Sequence, residues 1–268
     1  MREIDRALAE AYGKEAGYRD PSRSASSPRR CSTDSLPPAE AREPSPAPPP
    51  PHFLVPGAAT VTLNWPATVR ALEREHGARF ERLADRLIEA RDLEGVRVLL
   101  VTSCHRAEGR TTLVLTVARA LARRPGRVLL VDGDLGGPMI ARLLGLRPRS
   151  GLDDVVLDGV PAADAIMHAP DDHLSILPLR GPVARPREFL NSPGWSCLMA
   201  RLRRDYEFVL IDGSPLFAGL SAAVLHRAVD AAVLVTHRAL TGDRTLLRAR
   251  EVLDAGGVPL LGLAETFV

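Results

Sequence analysis

One arginine and three aspartates carry the chemistry this sequence offers. Arg110 stands in the loop Cys104-His105-Arg106-Ala107-Glu108-Gly109-Arg110-Thr111, Asp132 and Asp134 follow one apolar run, and Asp212 ends another. A loop between a buried strand and a helix turns backbone N–H groups toward an anion, Gly109 allows close approach, and the Thr111 hydroxyl is a ligand type for Mg²⁺. The loop meets the phosphate-binding pattern G-x-x-x-x-G-K-[ST] at Gly109 and Thr111, two of its four fixed positions. Arg110 stands where that pattern has lysine. It keeps the charge, but a broad planar guanidinium need not reach the β- and γ-phosphates, so binding can survive where turnover does not. Carboxylates at strand ends hold Mg²⁺, directly or through water, or accept a proton from an attacking hydroxyl.

The elements that must position these groups are legible as apolar patterns. Val96, Val98, Leu99, Leu100 and Val101 predict a buried strand before the loop, and Leu113, Leu115, Val117, Ala118 and Leu121 predict a helix after it. Further strands are expected at 127–131, 173–178, 206–211, 231–236 and 259–263, with helices at 65–94, 139–144, 151–156, 185–204 and 245–255. Strands alternating with helices indicate an α/β fold, a doubly wound and mainly parallel sheet flanked by helices. Ligands of such a sheet sit beyond the carboxyl ends of the strands, so Asp132 and Asp134 should project toward the loop. A dinucleotide-binding Rossmann enzyme is excluded because no G-x-G-x-x-G follows any strand.

With 268 residues and 45% hydrophobic content the chain can bury one substantial core and carry an extra segment. The expected organisation is a short helix at 1–14, with Ile4, Ala7, Leu8, Ala11 and Tyr12 on one face, then a disordered Pro/Ser-rich linker at 15–62. A nucleotide-binding domain follows at 63–268, made of a helix at 65–94 on the edge of a core at 95–268. A net charge of +2, spread along the chain, gives no case for nucleic acid. Cys31, Cys104 and Cys197 have neither metal-ligand nor disulfide spacing, which suits a reducing cytosol, with Cys104 read as a buried inert thiol. No run approaches the ~20 apolar residues of a spanning helix, so a cytoplasmic protein is expected, one that reaches the inner membrane only through a partner.

Taken together, the ordered motifs resemble the MinD/ParA-like P-loop ATPases, and most closely the cytoplasmic domain of bacterial tyrosine kinases of the capsule and exopolysaccharide type. Residues 102–111 are similar to TS-x-x-PGEGK[ST], 129–138 to LLIDxDxRxP, 151–156 to GLxDxL, 185–190 to NPxELL and 207–215 to DxVIIDxPP; the likeness spans about 94–268. The sequence departs from that pattern at Arg110 for lysine, Ala107 for glycine and Gly136 for arginine, and His105 takes the place of the signature lysine of MinD/ParA proteins. No aspartate stands at 220–222, and the tyrosine cluster of these kinases has no counterpart after Tyr206.

The resemblance implies ATP and Mg²⁺ as cofactors. It assigns Cys104, His105, Arg106, Ala107, Glu108, Gly109, Arg110, Thr111 and Thr112 to the nucleotide, with Thr266 near the purine-reading position. It gives Arg110, Asp132 and Asp134 catalytic roles, and Thr111, Asp132 and Asp212 to the metal. It also implies a membrane chain-length or export protein as partner, and a homo-oligomer. Two functions follow: a Mg²⁺-dependent phosphotransferase or ATPase of the protein-tyrosine kinase type, with Tyr12 or Tyr18 as acceptor, or a catalytically impaired adaptor of polysaccharide export.

Overall fold

Runs of six residues with no solvated position need cover on both faces, and that requirement sets the architecture. The computed structural model describes residues 59–218 and 228–266. The expected helix at 1–14, most of the linker, positions 220–222 and Phe267-Val268 lie outside the described residues.

The chain runs β1 (Ala59–Thr60), α1 (Ala67–Glu94), β2 (Val98–Ser103), α2 (Arg110–Ala122) and β3 (Val128–Gly133). Three short helices follow, α3 (Ile140–Leu143), α4 (Leu152–Leu157) and α5 (Ala162–Ala165), then β4 (Met167–Ala169), a 3₁₀ turn and β5 (Leu174–Leu177). The remainder is α6 (Pro186–Asn191), α7 (Pro193–Asp205), β6 (Phe208–Gly213), β7 (Ala231–His237), α8 (Asp243–Ala255) and β8 (Leu260–Thr266). Among the described residues the strands form one sheet in the order β1-β4-β5-β3-β6-β2-β7-β8. Every pair is parallel except β4 with β5. All residues of β2 and of β6 are buried.

One apolar layer packs α1 and α2 on one face of the sheet, with Phe80, Leu83, Leu87, Leu113 and Leu121 at its centre. The other packs α4, α6, α7 and α8, through Leu152, Phe189, Trp195, Leu202 and Leu253. Gly95 ends α1 in a left-handed conformation, φ 75°, and its N–H bonds back to Arg91.

Two differences from the sequence pattern are informative. Ala59–Thr60, inside the range expected to be a linker, pairs in register with Met167 and His168, and Leu63 and Trp65 are buried beside it. The Trp65 indole N–H donates to Asp172 at 2.8 Å, and the Arg119 guanidinium lies 4.9 Å from the ring centroid. The helical stretch expected at 185–204 is two helices, because Pro193 interrupts the backbone ladder and Ser192 caps the second by accepting from Trp195 N–H.

Candidate functional site

Strand register brings the acids together. β6 lies between β3 and β2, Asp132 is paired in register with Asp212, and Val101 of β2 flanks Asp212 on its other side. The loop after β2 and the start of α2 therefore stand over the same strand ends as both acidic runs. Gly109 precedes α2 with φ 82°, and a Cβ there would sit 3.1 Å from the Thr266 methyl. Glycine is favoured at this position on both counts.

Arg110 is the hub. Its side chain is 9% exposed, its Nε donates to Asp212 Oδ1 at 2.9 Å, one terminal nitrogen donates to Asp134 Oδ2 at 2.7 Å, and the other reaches Ser103 Oγ at 3.2 Å. The sequence reading aimed Arg110 at phosphates. The structure instead folds it back onto the two acids, as a planar fork can do between carboxylates on neighbouring strands. Thr111 Oγ1 donates to Asp212 Oδ2 at 2.8 Å, and Ser214 Oγ donates to Asp134 Oδ1 at 2.9 Å.

Asp132 is wholly buried. Its Oδ2 accepts from Ile140 N–H at 2.9 Å, while Oδ1 has no partner. Burial, then the nearby Asp212, push this carboxyl up to about 7. Complete burial also raises the Asp212 carboxyl, against the pull of the Arg110 charge and the Thr111 hydroxyl.

The remaining predicted residues divide. Glu108 is buried within the loop, where Oε2 accepts from His105 N–H at 2.6 Å and Oε1 from the Thr241 hydroxyl. His105 is exposed and lies 5.6 Å from the Phe217 ring. Cys104 packs into the core, and burial, with Glu108 nearby, pushes its thiol up to about 12, so it is an inert packing residue. Thr266 is buried against the loop, its hydroxyl donating to the Glu108 carbonyl at 2.8 Å. Thr112 stands in the first turn of α2 and its carbonyl accepts from Thr116 Oγ1.

Ala107, where the resemblance expects glycine, keeps the left-handed conformation at φ 64°. Sequence reasoning gave no role to Ser103, although the TS of the loop pattern includes it, missed Ser214 and Thr241, and missed what Arg106 does. That guanidinium, 58% exposed, comes within 3.6 Å of Asp134, and a Cβ on Gly136 or Gly137 would sit 3.2 or 2.8 Å from its nitrogens. The loop thus supplies an arginine beside Gly136, the position where the kinase pattern carries its own.

Whether Thr111, Asp132 and Asp212 suit Mg²⁺ can be judged from their partners. Both Asp212 oxygens and the Thr111 hydroxyl are bonded to one another or to Arg110, and among the described residues no three acidic, His or Cys side chains are arranged to hold a metal. Of this set's side-chain oxygens Asp132 Oδ1 alone is unpartnered, and as arranged the set does not fit a hydrated divalent ion, which needs several free oxygens and no cation already among them.

No family model matches the chain. It is 24% identical over 169 residues to the tyrosine-protein kinase CpsD of Streptococcus pneumoniae, covering 63% of this chain and 74% of that one. It is 26% identical over 211 residues to the tyrosine-protein kinase YwqD of Bacillus subtilis, covering 72% and 89%. Among solved structures, the VpsO kinase domain aligns with a TM-score of 0.65 at 26% identity, over 73% of this chain and 98% of that one. MinD from Pyrococcus horikoshii, solved with Mg-ADP, aligns at 0.50 and 26% identity over 62% and 68%. The homologues of this chain are bacterial tyrosine kinases, and its fold is that of the MinD/ParA-like P-loop ATPases with an altered phosphate loop.

Proposed function

We propose that this chain binds ATP at the loop formed by Cys104, His105, Arg106, Ala107, Glu108, Gly109, Arg110, Thr111 and Thr112, as a kinase-type P-loop protein serving polysaccharide synthesis or export. The observation that carries the reading is the meeting of Arg110, Thr111, Asp134 and Asp212 within hydrogen-bond distance over adjacent parallel strand ends. Backbone N–H groups at the start of α2 hold the phosphates, and Arg106, exposed beside them, adds positive charge from outside. Asp132, with Oδ1 unpartnered, is assigned the proton-accepting role, and a hydroxyl reaches it only once the buried arrangement opens.

A second reading, the impaired adaptor, is favoured by one observation: Arg110 and Thr111 are already committed to the acids. Phosphotransfer assisted by Mg²⁺ requires that arrangement to open. Of the three tyrosines, Tyr206 is buried, which leaves Tyr12 and Tyr18 as acceptors. The resemblance supports a membrane chain-length or export protein as partner, self-association, and a cytoplasmic site of action; among the described residues no helix is long and apolar enough to cross a membrane.

Titration with a fluorescent ATP analogue tests the proposal. Binding in the micromolar range is expected, and it should be lost when Gly109→Val fills the space over Thr266 and strains the loop. No binding at millimolar ligand overturns it. Phosphotyrosine detection after incubation with ATP then separates the two readings: a signal removed by Tyr12→Phe with Tyr18→Phe supports transfer, and silence supports the adaptor.

A further inference from the structure

We propose that the Arg110 guanidinium is the resident cation of this site, standing between Asp134 and Asp212, so that these two acids need no Mg²⁺ to neutralise them. The proposal rests on the reading of the pocket as a nucleotide site only for its functional consequence; the electrostatics stand on this chain's own side chains.

Four carboxylate oxygens face the site from Asp134 and Asp212, and each has a protein partner. Asp212 Oδ1 and Asp134 Oδ2 accept from Arg110, Asp212 Oδ2 accepts from Thr111, and Asp134 Oδ1 accepts from Ser214. The two negative charges are met by Arg110 and, at 3.6 Å from Asp134, by Arg106. A lysine would have to reach both acids from one point, whereas Nε and a terminal nitrogen of arginine lie on two edges of a rigid plane and here meet Asp212 and Asp134 separately.

Position adds a second reason. Arg110 is the first residue of α2, where the helix dipole already disfavours a cation. It is kept there, buried, by the two acids. A divalent ion entering between Asp134 and Asp212 would meet a fixed positive charge within hydrogen-bond distance of both, in a place with little water to screen it. The Thr111 hydroxyl points its proton at Asp212 and would have to turn away. The substitution of arginine for the pattern lysine therefore changes what the position does, from contacting the phosphates to holding the acids.

The test uses the full chain, with Mn²⁺ as a paramagnetic stand-in for Mg²⁺ and no nucleotide. Water-proton relaxation should detect a Mn²⁺ site in Arg110→Lys at least about tenfold tighter than in the parent chain. Thermal melting should match: Mg²⁺ leaves the parent unmoved, and raises the melting point of Arg110→Ala beyond the effect of equal ionic strength of NaCl. Equal Mn²⁺ affinity in the parent and in Arg110→Lys overturns the proposal whether or not Arg110→Ala folds. With the ATP analogue added, parent affinity in Mg²⁺ and in chelator should agree within about twofold, against about tenfold dependence in Arg110→Lys. A parent whose binding is strongly Mg²⁺-dependent overturns the proposal. Loss of nucleotide binding in every variant, with the Mn²⁺ result as expected, overturns the nucleotide reading and supports the resident cation.

Discussion

Helix α2 has an arginine cluster at each end, built from the same two functional groups in opposite surroundings. At its start Arg110, buried, bonds Asp134 and Asp212, which are buried as well. At its end Arg119, Arg123 and Arg124 meet Glu73, Glu81 and Asp85 of α1 across a solvated seam, with Arg123 47% exposed. The outer arginines lie at the helix end that favours cations, in water that screens them, and they clip α1 to α2 at little cost. The inner one opposes the helix dipole and was taken out of water with its partners. Such an arrangement is weak evidence for stability and better evidence that something else holds the position, which is the ground for regarding the inner cluster as the site.

The largest expected effect comes from breaking the inner cluster. Arg110→Ala leaves two buried carboxylates without their cation, and should destabilise the chain by about 3–5 kcal/mol in denaturant unfolding at neutral pH. A loss no greater than that of an outer arginine would erase the contrast between the two ends.

Next is Asp132, a buried carboxyl beside the inner cluster, whose pH dependence sharpens the contrast. Its carboxyl moves from 3.8 to about 7 on folding. Between those values the folded chain holds a proton that the unfolded chain has released, so this group makes stability fall as pH rises from about 4 to 7, and the loss is complete above 7. Asp132→Asn removes that slope. Its advantage over the parent chain should be absent near pH 4 and reach about 2–4 kcal/mol near pH 8, read from urea midpoints across the range. An advantage that does not vary with pH would show that Asp132 does not titrate on folding.

How much of this was legible in the sequence depended on whether a pattern or a partner fixes the residue. β2, β3 and β6 are fixed by pattern, since apolar runs ending in acid or polar residues leave one way to bury them, and their parallel order brought Asp132, Asp134 and Asp212 to one edge. β1 and β4 have two and three residues and exist because a neighbour offers hydrogen bonds, so no periodicity announces them. The members of the site were readable in the same way, but not its internal pairing. A charged residue in a phosphate-type loop reads as facing its ligand, and only coordinates reveal that Arg110 turns inward, that Glu108 is buried holding His105 N–H, or that Thr266 is buried against the loop.

Ala107 shapes the inner end through backbone rather than charge. A residue with a Cβ held at φ 64° costs roughly 1 kcal/mol relative to glycine, offset in part by the freedom glycine regains when unfolded. Ala107→Gly should therefore stabilise the chain by up to about 1 kcal/mol, measured as a shift of the urea midpoint. Destabilisation by that change would mean that the loop conformation is not the strained one described, and that the loop feeding Arg110 into the core has another resting geometry.

The smallest effect should belong to Arg123, which accepts its place on the solvated seam. Its guanidinium bridges Glu73 at 2.7 Å and Glu81 at 2.9 Å, but Arg119 also bonds Glu73 and Arg124 also bonds Glu81. When Arg123→Ala removes one bridge, each glutamate keeps a cation and gains water, so neither is left uncompensated. The cost should be about 0–1 kcal/mol and should shrink further in high salt, which thins interactions between exposed charges. The same salt should leave the Arg110→Ala penalty nearly unchanged, because counterions do not reach the acids it exposes to one another. Urea unfolding of both variants at low and high NaCl makes this a single comparison, and a salt-sensitive Arg110→Ala beside a salt-insensitive Arg123→Ala would invert the assignment of which end of α2 lies within the protein's interior.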